Sequence, residues 1–211
     1  MRLAVTIILG LAAISVAYAD HNSLHECNYL MPGYTPDRFQ DLGDGTVYDN
    51  RTGLVWQRCA YGENWYSGDN SCVASPVLID WDAALRYIKD YNTEQQNLGK
   101  PVGWRMPNIK ELASLINRSC IYPAAYHETF PAMGAPSGNG ASVVWSSTPY
   151  LLGTVKVTET DSSGSSGWKD ETAVWCIDFK TGKDQNEKCP IRGTEGRHLY
   201  LVRTPAEGAP P

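Results

Sequence analysis

The chain has 211 residues, of which 42% are hydrophobic, 10% aromatic and 19% charged, and its formal net charge is −5. This composition excludes an intrinsically disordered chain, and the length is enough to bury the core of one domain or at most two small ones. The acidic balance argues against a general nucleic-acid binder, so we expect no nucleic-acid partner.

The N-terminal segment has the composition of a secretory signal peptide. A single early cation, Arg2, precedes an apolar run over 3–16, and Ala17-Tyr18-Ala19 supplies the small residues of a cleavage site. The run is too short for a comfortable transmembrane span, and a retained membrane anchor is therefore the less favoured alternative. We predict a signal peptide over 1–19, a leader segment over 20–37, and no transmembrane segment after cleavage.

All six cysteines follow the predicted signal peptide. An even number of cysteines in an exported chain predicts three disulfides, although the sequence alone leaves the connectivity open. The short Gly/Asn-rich loops favour Cys59–Cys72 and Cys176–Cys189, which leaves Cys27–Cys120 by elimination. The cysteine spacing fits no zinc site, and we expect neither a bound metal nor a cofactor.

Two segments of alternating polarity, 46–49 and 54–58, flank the turn-type sequence Asn50-Arg51-Thr52-Gly53 and predict a β-hairpin. The approach to this hairpin is rich in carboxylates, which are ligands that calcium prefers. Turns of aspartate and glycine are common for conformational reasons, so we favour a structural role over calcium binding. The aspartates concerned are Asp41, Asp44 and Asp49.

Two amphipathic helices are predicted next along the chain. Asp80 is expected to cap a helix that runs from residue 81 to about residue 91. Its apolar face has the spacing of a helix and consists of Trp81, Ala84, Leu85 and Ile88. Asn108 and Glu111 have the spacing of a capping box, which predicts a second helix. The residues expected to face the core from it are Leu112, Leu115 and Ile116.

The C-terminal half is predicted to consist of short strands and loops. A buried strand is predicted at 143–145, an exposed mobile loop at the Ser/Gly-rich segment 161–167, and paired strands at 172–179 and 198–203. The tail over 204–211 is predicted to be disordered. Two helices, several short strands and long disulfide-stapled loops together indicate an α+β domain.

Several sequence blocks carry a resemblance to a known family. They are RFQDLGDGTVYDNRTGLVWQR at 38–58, WDAAL at 81–85, GWRMPNIKEL at 103–112, VWSSTP at 144–149, VWCIDF at 174–179 and YLVR at 200–203. In this order they resemble the domain named after the C-terminus of the Legionella collagen-like protein. The resemblance covers 38–203 and predicts one domain over those residues.

The resemblance implies a C-type-lectin-like fold, with two helices, short antiparallel strands and long disulfide-stapled loops. The family's founding member is an adhesin whose domain binds sulfated glycosaminoglycans and assembles as a trimer on a collagen-like stalk. This chain has no Gly-x-y repeat and therefore no such stalk. The implied location is secreted, periplasmic or cell-surface in a bacterium that exports the chain through its general secretory (Sec) route. The implied partners are an anionic glycan or a cell-surface or matrix polymer, with a homo-oligomer as a further expectation.

Cations are concentrated near the C-terminus, where six of them and only three acids lie between Lys180 and Arg203. Clustered arginine and lysine side chains can grip sulfate and carboxylate groups, and His198 would add positive charge at acidic pH. We predict an anionic-glycan site formed by this basic segment and by tryptophans of nearby loops. Its members are Lys188, Arg192, Arg197, Arg203, Trp168 and Trp65. The alternative is a solvated loop of mixed charge.

Other conspicuous side chains receive structural interpretations. Four tryptophans inside the family blocks are expected in the core, namely Trp56, Trp104, Trp145 and Trp175. Arg105 and Glu111 are expected to serve the fold through an ion pair or through hydrogen bonds to loop carbonyls.

Catalytic motifs are missing from the sequence. There is no Gly-x-Ser-x-Gly elbow, no HExxH and no phosphate-binding glycine loop, and two of the four histidines belong to the leader. We therefore predict a non-catalytic adhesion or carbohydrate-binding module that recognises acidic or sulfated polysaccharide. The alternatives are a structural subunit that self-assembles into an extracellular appendage or matrix and, less favoured, an enzyme with an unrecognised site.

Overall fold

The computed structural model describes residues 26–27, 37–134, 142–151, 155–160, 163–181, 187–191 and 196–205. The predicted signal peptide, most of the predicted leader and residues 206–211 of the predicted tail lie outside this part of the chain. Within it, the polypeptide forms two α-helices and thirteen short strands.

The helices are α1 (Trp81–Asn97) and α2 (Ile109–Ser114). The strands before them are β1 (Glu26–Cys27), β2 (Phe39–Asp41), β3 (Thr46–Asp49), β4 (Leu54–Gln57), β5 (Asn64–Tyr66) and β6 (Ser71–Val73). The strands after them are β7 (Cys120–Ile121), β8 (Val143–Pro149), β9 (Val155–Thr160), β10 (Ser166–Glu171), β11 (Ala173–Asp178), β12 (Glu187–Pro190) and β13 (Val202–Arg203).

All strand pairs are antiparallel, and the two larger sheets have the orders β13-β4-β3-β2 and β12-β11-β8. The predicted hairpin is confirmed as β3 and β4, with Val47 opposite Trp56. Strands are also present within 172–179 and 198–203, but they do not pair with each other. β11 lies between β8 and β12, whereas β13 pairs with β4 because the chain returns to the first hairpin.

The predicted loop at 161–167 is in part a strand. Ser166 opens β10 and pairs with Thr160 of β9, so the described residues 163–165 belong to a hairpin turn. Serine and glycine suit that turn because they tolerate the tight backbone path between two paired strands.

The larger sheets are covered on both faces, because successive residues of one strand enter different clusters of the core. On β4, Trp56 joins the cluster that contains Leu112 and Phe130, whereas Val55 joins the cluster that contains Trp145. Side chains alternate between the two faces of a strand, and here both faces meet apolar side chains.

Three of the four tryptophans that were expected in the core are buried there, namely Trp56, Trp104 and Trp145. Trp175 differs, since it is half-buried on β11 and meets the ring of Tyr150 edge to face at 5.1 Å.

Helix α1 begins as predicted but is longer, and three of the four residues predicted for its apolar face, Trp81, Ala84 and Ile88, belong to the core or pack against it. The carboxylate of Asp80 accepts a hydrogen bond from the Ala83 N–H at 2.7 Å and caps the helix, which continues to residue 97. Leu85 was predicted to be buried, yet it is 48% exposed. Tyr87 and Tyr91 lie on the packed face instead, because a tyrosine ring can be buried while its hydroxyl stays near water.

Helix α2 is capped as the sequence predicts. Asn108 accepts a hydrogen bond from the Glu111 N–H at 2.9 Å, and Glu111 Oε2 accepts one from the Asn108 N–H at 2.8 Å. The two Nη groups of Arg105 also contact the Glu111 carboxylate, at 2.8 and 2.7 Å, which confirms a structural ion pair. Leu112 and Leu115 are fully buried below this motif.

All three predicted disulfides are present: Cys27–Cys120, Cys59–Cys72 and Cys176–Cys189. Within the described residues, neither helix has the length and apolar character needed to cross a lipid bilayer.

Candidate functional site

An open cleft of about 240 Å³ lies where the first hairpin, the segment that follows it and helix α1 meet. Its lining comes from 44–46, Gln57, 59–65, Tyr87 and Tyr91. Concave sites that combine aromatic rings with polar groups can hold small ligands.

Three tyrosine rings form one wall of the cleft. Tyr87 and Tyr91 are four residues apart on α1, so both project from the same face of the helix. Their rings stack with centroids 5.7 Å apart, and Tyr61 meets Tyr87 edge to face at 4.6 Å. Tyr61 is fixed by its backbone, whose N–H donates to Leu199 O and whose carbonyl accepts from the Val77 N–H. All three rings are half-buried and therefore keep some exposed surface.

Trp65, which was predicted to be an exposed ligand-binding residue, also lines the cleft and is half-buried. The guanidinium of Arg58 lies 3.8 Å from its ring centroid and is held in place by Asp41 Oδ2 at 3.0 Å. Gly45 packs against the same tryptophan, and a Cβ at that glycine would lie 2.7 Å from Trp65 Cβ. Trp65 is therefore fixed in place, with a cation already over its ring.

Hydroxyl and amide groups give the cleft its hydrogen-bonding capacity. Gln57 Nε2 donates to Tyr91 Oη at 2.7 Å, which leaves the phenol proton of Tyr91 available to an acceptor. Burial raises the pKa of Tyr87 to about 12 and also raises the pKa of Tyr91. Both phenols therefore stay protonated at neutral pH and can act as donors.

Glu63 is the half-buried carboxyl group of the cleft. Its Oε2 accepts a hydrogen bond from the Ala60 N–H at 2.9 Å. Burial raises the pKa of the Glu63 carboxyl despite that bond, because desolvation disfavours the charged form. Asp44, the other acid of the lining, accepts hydrogen bonds from the backbone and hydroxyl of Thr46.

The three aspartates around the first hairpin are each held by separate groups of the protein. Asp49 binds Arg38, Asp41 binds Arg58, and Asp44 binds Thr46. Within the described residues, the one group whose potential metal ligands come together is Cys59, Glu63 and Cys72, and those two cysteines form a disulfide. The geometry supports the structural interpretation of the aspartates.

The predicted members of the basic site lie on different parts of the fold. Lys188 is exposed on β12, with its ammonium 4.6 Å from the ring centroid of Tyr150. Arg197 is half-buried beside Ile79, with which it forms an isolated backbone bridge. Trp168 lies on β10, and Arg192 falls outside the described residues.

Arg203 corrects the expectation of a surface cation, because only 7% of it is exposed. Its guanidinium lies 5.1 Å from the ring centroid of Trp104. His198 is also buried, and desolvation together with the charge of Arg197 lowers its pKa to about 4. The histidine therefore stays neutral in mildly acidic solution, where the sequence had suggested that it would add charge.

The sequence analysis did not identify Tyr61, Glu63, Tyr87 or Tyr91 as site residues. The spacing of Tyr87 and Tyr91 is a usable signal, since two aromatic residues one helical turn apart form a continuous patch. The contribution of Tyr61 and Glu63 depends on how the loop after β4 folds against α1, which no local pattern specifies.

Comparison with known proteins identifies the family of the chain. No curated protein and no solved structure matches it. The family model of the Lcl C-terminal domain matches residues 45–203, which is more than half of the chain and lies within the predicted domain at 38–203. This family and the three disulfides fit an extracellular location. The chain belongs to the Lcl C-terminal domain family.

Proposed function

We propose that this chain is an extracellular, non-catalytic carbohydrate-binding domain that serves in adhesion, and that the aromatic cleft holds the sugar. The proposal is supported by one observation, namely that tyrosine rings, amide groups and carboxyl groups line the same open cleft. A sugar has apolar C–H faces that stack on aromatic rings and hydroxyl groups that exchange hydrogen bonds with polar side chains.

The individual residues of the cleft have separable roles in this proposal. Tyr61 and Tyr87 supply the surface against which a sugar ring packs. The hydrogen bond between Gln57 and Tyr91 uses the Gln57 amide nitrogen and a lone pair of the Tyr91 hydroxyl oxygen. The Tyr91 hydroxyl can therefore donate to the sugar, and the Gln57 carbonyl oxygen can accept from it. The disulfide Cys59–Cys72 closes the segment that carries Tyr61 and Glu63.

Replacing Tyr61 with alanine is expected to weaken sugar binding about tenfold or more, because a stacking surface worth roughly 1.4 kcal/mol is removed. A glycan array read at two salt concentrations would identify the oligosaccharide, and calorimetric titration would compare the variants. Tyr66→Ala is the matched control, since Tyr66 lies one residue beyond the cleft segment 59–65, does not line the cleft and is 55% exposed. Equal losses in both variants, or no loss in Tyr61→Ala, would contradict the proposal.

A second candidate function is recognition of acidic or sulfated polysaccharide by the basic segment. It is favoured by Lys188, whose ammonium is exposed at the edge of the β12-β11-β8 sheet beside Tyr150. An exposed cation next to aromatic rings offers both charge and contact area to a sulfated chain. Binding of this type should weaken steeply with salt.

Lys188→Ala should elute from a heparin column at lower salt than the unmodified protein, because one exposed cation of the contact surface is removed. Lys110→Ala removes an exposed cation on α2 and serves as the control. If both variants elute together with the unmodified protein, the basic segment does not bind anionic glycans through Lys188.

Two further parts of the proposal concern architecture and assembly. We propose that the fold is C-type-lectin-like, which the order of two helices followed by the β12-β11-β8 sheet supports.

A self-assembling structural subunit is the alternative to a monomeric binding domain. Sedimentation without ligand distinguishes them, since a structural subunit would sediment as an oligomer.

A further inference from the structure

The cleft has an acidic lining. Among its lining residues, all of which the structure describes, two are carboxylates, Asp44 and Glu63, and none is a lysine, arginine or histidine. Sulfate or carboxylate groups of a bound sugar would therefore be repelled there. The charge of the cleft is opposite to what an acidic polysaccharide requires.

The cations nearest to the cleft neutralise only part of this charge. Arg58 lies over Trp65, where it pairs with Asp41 and donates to the Thr129 carbonyl. The charge of Arg203 interacts with Asp44, which partly balances that carboxylate. For Glu63, the stabilising contact in the described structure is the single N–H of Ala60.

Glu63 is therefore a half-buried carboxylate with spare hydrogen-bonding capacity. Its Oε2 is used by Ala60, and no hydrogen bond to Oε1 is present among the described residues. A carboxylate that has lost part of its hydration gains strongly from a cation that pairs with an oxygen not already hydrogen-bonded. The raised pKa of this group has the same origin.

The aromatic wall adds to the preference for a cation. The rings of Tyr61, Tyr87 and Tyr91 form one patch in the cleft that Glu63 also lines, and the negative face of an aromatic ring attracts positive charge. A ligand that carries an ammonium group on a sugar ring would satisfy the carboxylate, the rings and the amide groups together.

We propose that the cleft selects a sugar with a free, protonated amine over its N-acetylated and sulfated counterparts, and that Glu63 is the residue that pairs with the amine. This inference rests on the proposed function, namely that the cleft holds a sugar. It names the class of ligand as amino sugars, of which oligomers of glucosamine are the simplest probe.

The test compares three probes by calorimetric titration at several pH values between about 5 and 7, because the raised pKa of Glu63 moves its ionisation above that of a free carboxyl group. The probes are glucosamine oligomers, N-acetylglucosamine oligomers of the same length, and sulfated heparin oligosaccharides. We expect glucosamine oligomers to bind at least tenfold more tightly than the acetylated ones, and the sulfated ones to bind to the cleft least. Equal affinity for the first two probes would overturn the inference while leaving the proposed function intact.

Glu63→Gln tests the assignment of the residue. The glutamine keeps an acceptor for the Ala60 N–H but has no charge, so the preference for the amine should disappear while binding of the N-acetylated oligomer is retained. Asp90→Asn, on an exposed position of α1 outside the cleft, changes the net charge equally and should leave the preference unchanged.

The outcomes separate the two levels of the proposal. A preference that survives Glu63→Gln overturns the role of Glu63. The proposed function itself is overturned if none of the three probes binds and if Tyr61→Ala and the unmodified protein give the same result on the glycan array. Retained binding of the acetylated probe, together with an unchanged thermal unfolding transition, shows that the glutamine variant is folded.

Discussion

Asp49→Ala should lower the free energy of unfolding by about 3–5 kcal/mol, because it leaves the charge of Arg38 buried without its partner. The two side chains are 1% and 0% exposed, and Arg38 Nη2 lies 2.6 Å from Asp49 Oδ2. A second contact joins Arg38 Nε to Asp49 Oδ1 at 2.8 Å, and Arg38 also donates to the backbone carbonyl of Ser114. The pair thus ties the first hairpin to helix α2.

Denaturant unfolding would measure this loss, with Asp37→Ala as the control, since Asp37 precedes Arg38 but is exposed. A loss below about 1 kcal/mol, the range of surface ion pairs, would show that the pair does not behave as a buried one.

The same pair predicts how stability depends on pH. Burial tends to raise the pKa of Asp49, but hydrogen bonds from Arg38 and Thr52 and the charge of Arg38 outweigh it and hold the pKa below 3.8. A carboxyl whose pKa is lower in the folded state contributes stability above its unfolded pKa and loses it as the pH falls through the folded value. The difference in the free energy of unfolding between the unmodified protein and Asp49→Ala should therefore become smaller below pH 3.8.

Removing the disulfide Cys27–Cys120 is expected to destabilise the domain more than removing either of the others. The two cysteines are 93 residues apart, whereas 13 residues separate the partners in Cys59–Cys72 and in Cys176–Cys189. In the chain-entropy account, a bridge restricts the unfolded chain more when it closes a longer loop. The expected losses are about 4.5 kcal/mol for the long loop and about 3 kcal/mol for each short one.

Double alanine variants compared by denaturant unfolding would measure these differences. The two short-loop variants serve as controls for each other, because their loops have equal length. If removal of Cys27–Cys120 lowers the free energy of unfolding no more than removal of either short-loop bridge does, the long bridge does not stabilise the domain by restricting the unfolded chain.

The parts of the fold that the sequence predicted well depend on local signals. The turn at 50–53 specifies the first hairpin, and Asn108 and Glu111 are three residues apart, as a capping box requires. The face of α1 was predicted less well because the apolar pattern counted Leu85 and left out Tyr87 and Tyr91. Tyrosine carries a polar atom, so a count of apolar residues does not reveal which side of the helix packs.

Trp65 is the one residue of the candidate site that the sequence analysis predicted, because the residues that line the cleft come from three separated segments of the chain. Conversely, the basic segment is continuous in sequence but is not one surface in the described structure. Lys188 lies on an edge strand of one sheet, whereas Arg203 lies on β13 of the other and is covered by Trp104. Neighbouring strands of a sheet can come from distant parts of a chain, so closeness in sequence does not establish a shared surface.

Cys59 lines the cleft and is joined to Cys72, so the formation of this disulfide and the shape of the cleft are linked. A newly made chain in a reducing cell interior would lack this covalent closure of the loop that carries Tyr61 and Glu63. Under the proposed function, the loop that lines the cleft would therefore be held in its binding geometry only in an oxidising compartment.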